Sequence, residues 1–336
     1  MTLAEPPFAE CNQISVARRW LEEHDRIALA TVVSAWGSAP VPVGGQLVVA
    51  PDGRFEGSVS GGCVEIDVLT EAQDVIANAK PKLLEFGIAD ETAWRAGLPC
   101  GGTIKIFVEP ILSSDRDFVD HILAARRSRR PMAVATNLAT GDRSLVDPAW
   151  GKDPELAAQI SAGESGIVTL AEGQVFLHVL MPAVRLLLAG ATHITQVLAD
   201  LAARVGYDVV IVDPRPAFAS AARFGGVTIL EEWPEPPSFA ASAFDRRTAV
   251  VALTHAAHLD DEALAAALRS DCFYVGALGS RKTHAKRLER LRAAGIADDQ
   301  LARIHAPVGL AIGARGPAEI AVSILAEIVK VARGAD

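Results

Sequence analysis

Two short elements place a cysteine beside paired glycines: Gly57-Ser58-Val59-Ser60-Gly61-Gly62-Cys63-Val64-Glu65 and Pro99-Cys100-Gly101-Gly102-Thr103. Cys63 falls between an expected strand and an expected helix start. The positive end of a helix favours a thiolate, the form that attacks sulfur or binds a metal. Cys100 precedes a strand on backbone that its glycines leave permissive. Two such thiols could hold a soft metal, or a sulfur bound to one. The spacing is neither Cys-x-x-Cys nor a zinc-type Cys/His pattern, so structural zinc is not expected. The bland alternative is that both cysteines are small buried hydrophobes, the usual fate of a free thiol. Cys11 and Cys272 lack glycine-rich settings and read as structural or incidental.

A second group lies further along. Leu186-Leu187-Leu188-Ala189-Gly190-Ala191-Thr192-His193-Ile194-Thr195 occupies the place of a dinucleotide-binding turn, with a strand before it and a helix after it. Asp213 follows Gly190 by 23 residues, near the ~20 expected of a ribose-binding acid. Thr192 and Thr195 stand at the second and third glycine positions of that fingerprint. A side chain at 192 either blocks a phosphate or offers it a hydroxyl. The alternative is a scaffold that no longer grips a dinucleotide. Gly276-Ala277-Leu278-Gly279-Ser280-Arg281-Lys282 runs from a strand into a helix, where the helix start and the two cations favour an anion. Thr254-His255 follows the preceding strand. Both loops fall at carboxyl strand ends, where open α/β sheets bind ligands. The structural alternatives are an exposed first-turn Arg281 and a surface or cap-region His255.

The elements that must position these residues divide into two halves. In the first, helices are expected at Asn12–Asp25, Val64–Asn78 and Phe118–Arg127. Strands are expected at Ile27–Val33, Gln46–Ala50, Phe55–Val59, Lys82–Phe86, Thr103–Val108, Met132–Asn137, Arg143–Val146 and Gln174–Met181, with a hairpin turn at Pro51-Asp52-Gly53. After Pro182 strand and helix alternate. Strands Arg185–Leu188, Asp208–Val212, Val227–Leu230, Thr248–Leu253 and Cys272–Val275 interleave with helices His193–Val205, Asp260–Leu268, Arg281–Ala294 and Pro317–Arg333. Alternation of this kind means βαβ units and a parallel sheet. The expected class is α/β: a mixed α/β domain over residues 1–182 and a Rossmann-like parallel-sheet domain over 183–336. The stripe Ile320, Ile324, Ile328 and Val331 of the last helix would serve either the core or a homodimer seam.

Composition limits the function classes. Half of the 336 residues are hydrophobic, which excludes a disordered chain and supplies full cores. A net charge of -9 argues against nucleic acid as the main partner. The basic run Arg126–Arg130 reads as a solvated helix end. Ile27–Pro51 is uncharged over 25 residues, but its prolines and glycines prevent a membrane-spanning helix. Met1–Glu10 has no basic start typical of a leader, and four cysteines in a chain this long are no disulfide framework, so a reduced, cytoplasmic protein is expected.

Several motifs resemble the XdhC/CoxI family of molybdenum hydroxylase accessory proteins. In the first half these are Gly37-Ser38-Ala39-Pro40, Gly57–Glu65 and Cys100-Gly101-Gly102-Thr103. In the second they are Val212-Asp213-Pro214-Arg215, Tyr274–Arg281, His305-Ala306-Pro307-Val308-Gly309-Leu310 and Ala318–Ile324. The resemblance implies a chaperone for the molybdenum cofactor (molybdopterin or its dinucleotide form) rather than a turnover enzyme. Such a chaperone assists sulfuration of the cofactor and its insertion into the large subunit of a xanthine dehydrogenase, aldehyde oxidase or CO dehydrogenase type enzyme. A cysteine desulfurase is the implied sulfur donor. By carry-over, Cys63 and Cys100 are candidate molybdenum or sulfur contacts, within a cofactor site that adds Ser60, Gly61, Gly62, Glu65, Gly101 and Gly102. Gly190, His193, Asp213, Arg215 and His255, with Gly276, Gly279, Ser280 and Arg281, are candidate nucleotide or phosphate contacts.

The chain departs from the family pattern at Thr192, Ala256 and Ala311, where the family usually carries a glycine, an aspartate and an aspartate. These changes leave the cysteine motifs intact and imply altered or weakened nucleotide binding. Two other classes compete. One is an NAD(P)-dependent oxidoreductase using the Rossmann-like half. The other is a scaffold that docks a sulfur donor and a client enzyme without binding a small ligand.

Overall fold

The computed structural model describes residues 13–37, 41–87, 102–146, 154–170, 173–220, 222–230, 244–254 and 256–335. Among these, 13–182 and 183–335 form two compact units.

The first unit is built on strand β1 (Arg26–Trp36), whose apolar run Ile27–Val33 is buried on both faces. It pairs antiparallel with β2 (Gln46–Val49) and with β5 (Thr103–Leu112). β3 (Phe55–Gly57) and β4 (Lys82–Phe86) complete a five-stranded sheet in the order β3-β2-β1-β5-β4. Period-two alternation divides the apolar side chains between two cores. Ala28, Ala30 and Val32 pack with Val68, Ala72 and Val75 of helix α2 (Glu65–Asn78). Ile27 and Leu29 pack instead with α1 (Gln13–Glu23) and α3 (Arg116–Arg127). The second sheet of the unit, in the order β7-β6-β9-β8, combines β6 (Met132–Asn137), β7 (Arg143–Val146), β8 (Gly166–Leu170) and β9 (Gly173–Leu180). Helix α4 (Pro154–Ala162) and β8 are additions to the expected elements; each is a short apolar run without a sustained periodicity of its own.

Between these sheets lies a cavity of about 40 Å³, lined among others by Thr31, Gln46, Glu109, Thr136, Arg143 and His178. Burial pushes the Glu109 carboxyl up to about 7; Arg143 opposes the shift and Asp115 adds to it. Arg143 Nε stands 3.5 Å from Glu109 Oε2, an oxygen with no hydrogen-bond partner. Burial, and then the Arg126 charge, push His178 down to about 4. The basic run at the end of α3 is therefore not wholly solvated: Arg126 is partly buried and burial lowers its pKa.

The second unit is a six-stranded parallel sheet in the order β12-β11-β10-β13-β14-β15. Its strands are β10 (Arg185–Ala189), β11 (Asp208–Val212), β12 (Thr228–Leu230), β13 (Thr248–Ala252), β14 (Tyr274–Ala277) and β15 (Ile304–His305). Strand order reverses between β10 and β13, the switch point at which open sheets form a crevice. Leu186 and Leu188 face α5 (His193–Arg204) and α9 (Pro317–Ala332); Leu187 and Val250 face α6 (Ala257–Leu268) and α7 (Arg281–Ala293). A short α8 (Asp298–Leu301) precedes β15. Ile324 and Ile328 of α9 are fully buried, with Ile320 and Val331 packed beside them, so that stripe belongs to the core. Among the described residues no helix is long and apolar enough to cross a membrane.

Candidate functional site

The cysteine element of the first unit is folded around one carboxylate. Glu65 opens α2, and its side chain reaches back over the preceding loop. Five donors converge on it: Ser58 Oγ at 2.6 Å, Val59 N at 3.2 Å, Ser60 N at 2.9 Å, Gly62 N at 2.8 Å, and Ser60 Oγ. Ser60 Oγ in turn accepts from Val64 N at 2.9 Å. Burial alone would raise the Glu65 carboxyl, but the serine hydroxyls and backbone N–H groups hold it at about 2. Gly61 and Gly62 adopt φ of 75° and 112°, backbone that a side chain resists. Cys63 rides on this loop, partly buried, against the apolar cluster under α2. Glu65 is thus the loop's organiser, with both oxygens engaged by the chain itself.

Of the second cysteine element, Gly102 and Thr103 are described, at the start of β5 beside the end of β1. β3 and β1 run in the same direction, because each is antiparallel to β2. The loop leaving β3 starts level with Ala30 and heads in the direction of Trp36, which pairs with Thr103 at the start of β5. A Cβ on Gly102 would lie 2.5 Å from the Trp36 carbonyl oxygen, so only glycine permits this approach. Cys100, Gly101 and Cys11 lie outside the described residues. Cys272 is buried in the core of the second unit, and burial pushes its thiol up to about 11, an inert setting.

In the second unit, Gly190 turns the chain from β10 into α5 with φ of 111°. A Cβ there would lie 2.6 Å from Thr254 Cγ2 and 2.9 Å from Thr254 N, across the switch point. Gly190→Ala is expected to cost about 2 kcal/mol, from backbone strain and this clash together; a shift in the urea unfolding midpoint measures it. The threonines at the other two glycine positions close the turn on itself. Thr192 caps α5 by accepting from Thr195 N at 3.3 Å, while its own N–H donates to Thr195 Oγ1 at 3.2 Å. Thr195 Oγ1 also donates to the Gly190 carbonyl. His193 is exposed at the first helical position.

Asp213 is fully buried and accepts four hydrogen bonds. Ala191 N reaches Oδ2 at 2.7 Å, and the Arg215 backbone N and Nε reach Oδ1 at 3.0 and 2.8 Å. Arg215 Nη2 completes the set at 2.7 Å from Oδ2. Burial would raise this carboxyl; Arg215 and the Ala191 N–H hold it below the usual carboxylate range. Its capacity is spent tying the turn to the end of β11, which leaves little for a ribose hydroxyl. Arg215 is committed to the same pair.

Gly276 lies inside β14, opposite Val251, and not in the following turn. A Cβ on it would meet Val308 at 2.7 Å and the Tyr274 ring at 2.8 Å, so its glycine character serves packing. The turn proper begins later, with Gly279 at φ of 133° and Ser280 capping α7 by accepting from Thr283 N at 3.2 Å. Arg281 is exposed, and His255 lies outside the described residues. Arg287, two turns into α7, was not singled out by its sequence context. Its only signal there was the four-residue spacing of Lys282, Lys286 and Arg290, which ordinarily marks a solvated helix face.

The fold and these two sites define a two-unit protein that joins a cysteine-bearing sheet domain to a Rossmann-type domain with a self-closed first turn. Residues 186–328 match the XdhC Rossmann domain model, and residues 20–87 match the XdhC and CoxI family model. The chain is 32% identical over 304 residues to a molybdenum cofactor insertion chaperone, PaoD, of Escherichia coli, covering 90% of this chain and 82% of that protein. It is 28% identical to a Bacillus subtilis protein described as a probable xanthine dehydrogenase subunit, covering 92% and 94% of the two chains. A crystal structure described as a xanthine dehydrogenase from Bacillus halodurans is similar with a TM-score of 0.76 and 25% identity, over 97% of each chain. The chain belongs to the XdhC and CoxI family.

Proposed function

We propose that this protein binds a molybdenum cofactor and carries it to the large subunit of a molybdenum hydroxylase. The observation that carries the reading is the Glu65-organised loop, which presents Cys63 on glycine backbone just before α2. A thiolate is a soft ligand that molybdenum accepts, and the similarity to the chaperone PaoD supports the same cargo. Cys63 and Cys100 are the proposed contacts. Glu65, Ser60 and the paired glycines position the first of them and leave the thiol as the loop's free ligand. In this reading the cofactor is held while a cysteine desulfurase supplies its sulfur, and is then passed to the client enzyme.

Mixing the protein with released cofactor, followed by gel filtration and molybdenum analysis, tests the assignment. Cys63→Ala is expected to retain less than about a tenth of the wild-type molybdenum, as loss of a metal-coordinating ligand implies. Wild-type levels in both Cys63→Ala and Cys100→Ala would remove the cysteine assignment. Co-expression with candidate hydroxylases identifies the client by the activity it gains. The oxidoreductase alternative is disfavoured by Asp213, whose oxygens are filled, and by the Thr192–Thr195 closure of the turn. An unchanged nicotinamide fluorescence on adding the protein is the expected result.

A further inference from the structure

We propose that a basic cavity between α6 and α7 of the second unit binds a phosphate group. The cavity, of about 220 Å³, is lined by Lys282, Thr283, Lys286, Arg287 and Arg290 of α7, by Ala257 and Asp260 of α6, and by Leu278. It opens beside the carboxyl ends of β13 and β14, one strand from the switch point.

Arg287 is the decisive residue. It is 3% exposed, and its Nε and Nη1 are buried without a hydrogen-bond partner. Only Nη2 is engaged: it donates to the Leu278 carbonyl at 2.8 Å and faces Asp260 at 3.6 Å. A buried guanidinium with two idle nitrogens is costly, and an anion in the cavity offsets that cost. The lining acid fills this role only in part: Asp260 Oδ1 accepts from Thr254 N at 3.1 Å and Thr254 Oγ1 at 2.7 Å, and its Oδ2 stays 3.6 Å from Arg287 Nη2, beyond hydrogen-bond distance and away from Nε and Nη1. Lys282 and Lys286 have no acidic partner among the described residues, whereas Arg290 is held by Asp261. Two free ammonium groups and the two idle guanidinium nitrogens line a space near the first turn of α7, whose amide dipoles add to the attraction.

The donor set selects the ligand class. Guanidinium N–H groups pointing in two directions and two point charges approaching from separate positions suit a dianion with several equivalent oxygens, as in a phosphomonoester or pyrophosphate, better than a carboxylate. The volume is below the roughly 300–1,000 Å³ of sites that enclose a whole organic ligand. The cavity therefore takes the phosphate end and leaves the remainder of the molecule outside, toward the crevice. The phosphate could arrive on a nucleotide or on a non-nucleotide phosphomonoester. The proposal stands whether or not Cys63 holds molybdenum.

Calorimetric titration of the full chain at fixed ionic strength tests it, with inorganic pyrophosphate and ADP as separate probes. Pyrophosphate is expected to bind the wild type. Lys282→Ala/Lys286→Ala changes only exposed side chains; it is expected to keep its melting temperature and to weaken binding at least about tenfold, in line with the loss of charge-assisted bonds. Arg287→Gln is expected to lose binding altogether, and if that variant does not fold, the double lysine variant decides. ADP binding more tightly than pyrophosphate assigns the site to nucleotides, and ADP binding no more tightly than pyrophosphate assigns it to the phosphate groups alone. Cys63→Ala is expected to bind pyrophosphate as the wild type does, which separates this site from the cysteine site. No binding of pyrophosphate to the wild type at millimolar concentration, or equal binding to the double lysine variant, overturns the proposal.

Discussion

Glu65→Ala is expected to lower the unfolding free energy by about 3 kcal/mol at neutral pH and to speed alkylation of Cys63 at least about tenfold. The substitution strands five donors that now share one carboxylate, among them the buried Ser60 hydroxyl. Hydrogen bonds to a charged acceptor contribute about 1.5–3 kcal/mol each but do not sum, since a released loop recovers water for its exposed amides. The sign of the pH effect follows from the depressed carboxyl. The folded protein holds Glu65 at about 2 against 4.5 when unconstrained. Its contribution is present above pH 4.5 and is lost as the pH falls toward 2. Glu65→Gln keeps one oxygen but turns an amide donor toward donors, so an intermediate effect is expected. Mass-spectrometric alkylation rates for each cysteine measure the opening, with buried Cys272 as the internal control. An unchanged Cys63 rate in both variants would show that the loop is held by something other than Glu65.

Glu109 produces the opposite pH dependence. The buried carboxyl titrates at about 7 in the folded protein and at 4.5 when free, so between those values the folded state holds the extra proton. Stability from this group is complete below pH 4.5 and is lost as the pH rises through 7, about 3 kcal/mol in all. His178, in the same cavity, runs the other way: held at about 4 against 6.5, its contribution is lost as the pH falls from 6.5 toward 4. Its partial cancellation hides the Glu109 effect in the wild type alone. The difference between Glu109→Gln and wild type removes the His178 contribution. Glu109→Gln is expected to gain up to about 3 kcal/mol relative to wild type between pH 5 and 8, most of it by pH 7. Arg143, which loses part of its pairing in the variant, keeps Asp115 at 2.8 Å. Urea unfolding at intervals across that range measures the difference. A flat difference would mean that Glu109 is ionised throughout and paired with Arg143.

Most elements were legible because each carries its own periodicity. β4, β6, β7 and β11 match the expected ranges to the residue. β1 runs on past Val33 because Ser34, Ala35 and Trp36 pair with Lys105, Ile104 and Thr103, and β5 runs on past Val108 because its residues Glu109 to Leu112 pair with Leu29 to Arg26. α4 and β8 escaped because short apolar runs without a sustained periodicity are fixed by packing against β9 rather than by local preference. β14 starts and ends two residues later than expected, and the shift moved Gly276 from a turn into the core.

The cysteine-glycine elements, the turn at Gly190 and the acid at Asp213 could be found from residue type and spacing. The alternating βα pattern alone determined the parallel-sheet class of the second half, because a run of that period can bury its apolar face in few other ways. What each polar side chain does was decided only by the tertiary structure, since hydrogen-bond capacity is spent on whichever groups the fold brings within about 3 Å. Spacing marked Asp213 as a ligand contact and the family resemblance marked Glu65, and folding gave the oxygens of both to the chain itself. Spacing passed over Arg287 as one more charge on a basic helix, and folding buried it beside a cavity with two nitrogens unpartnered.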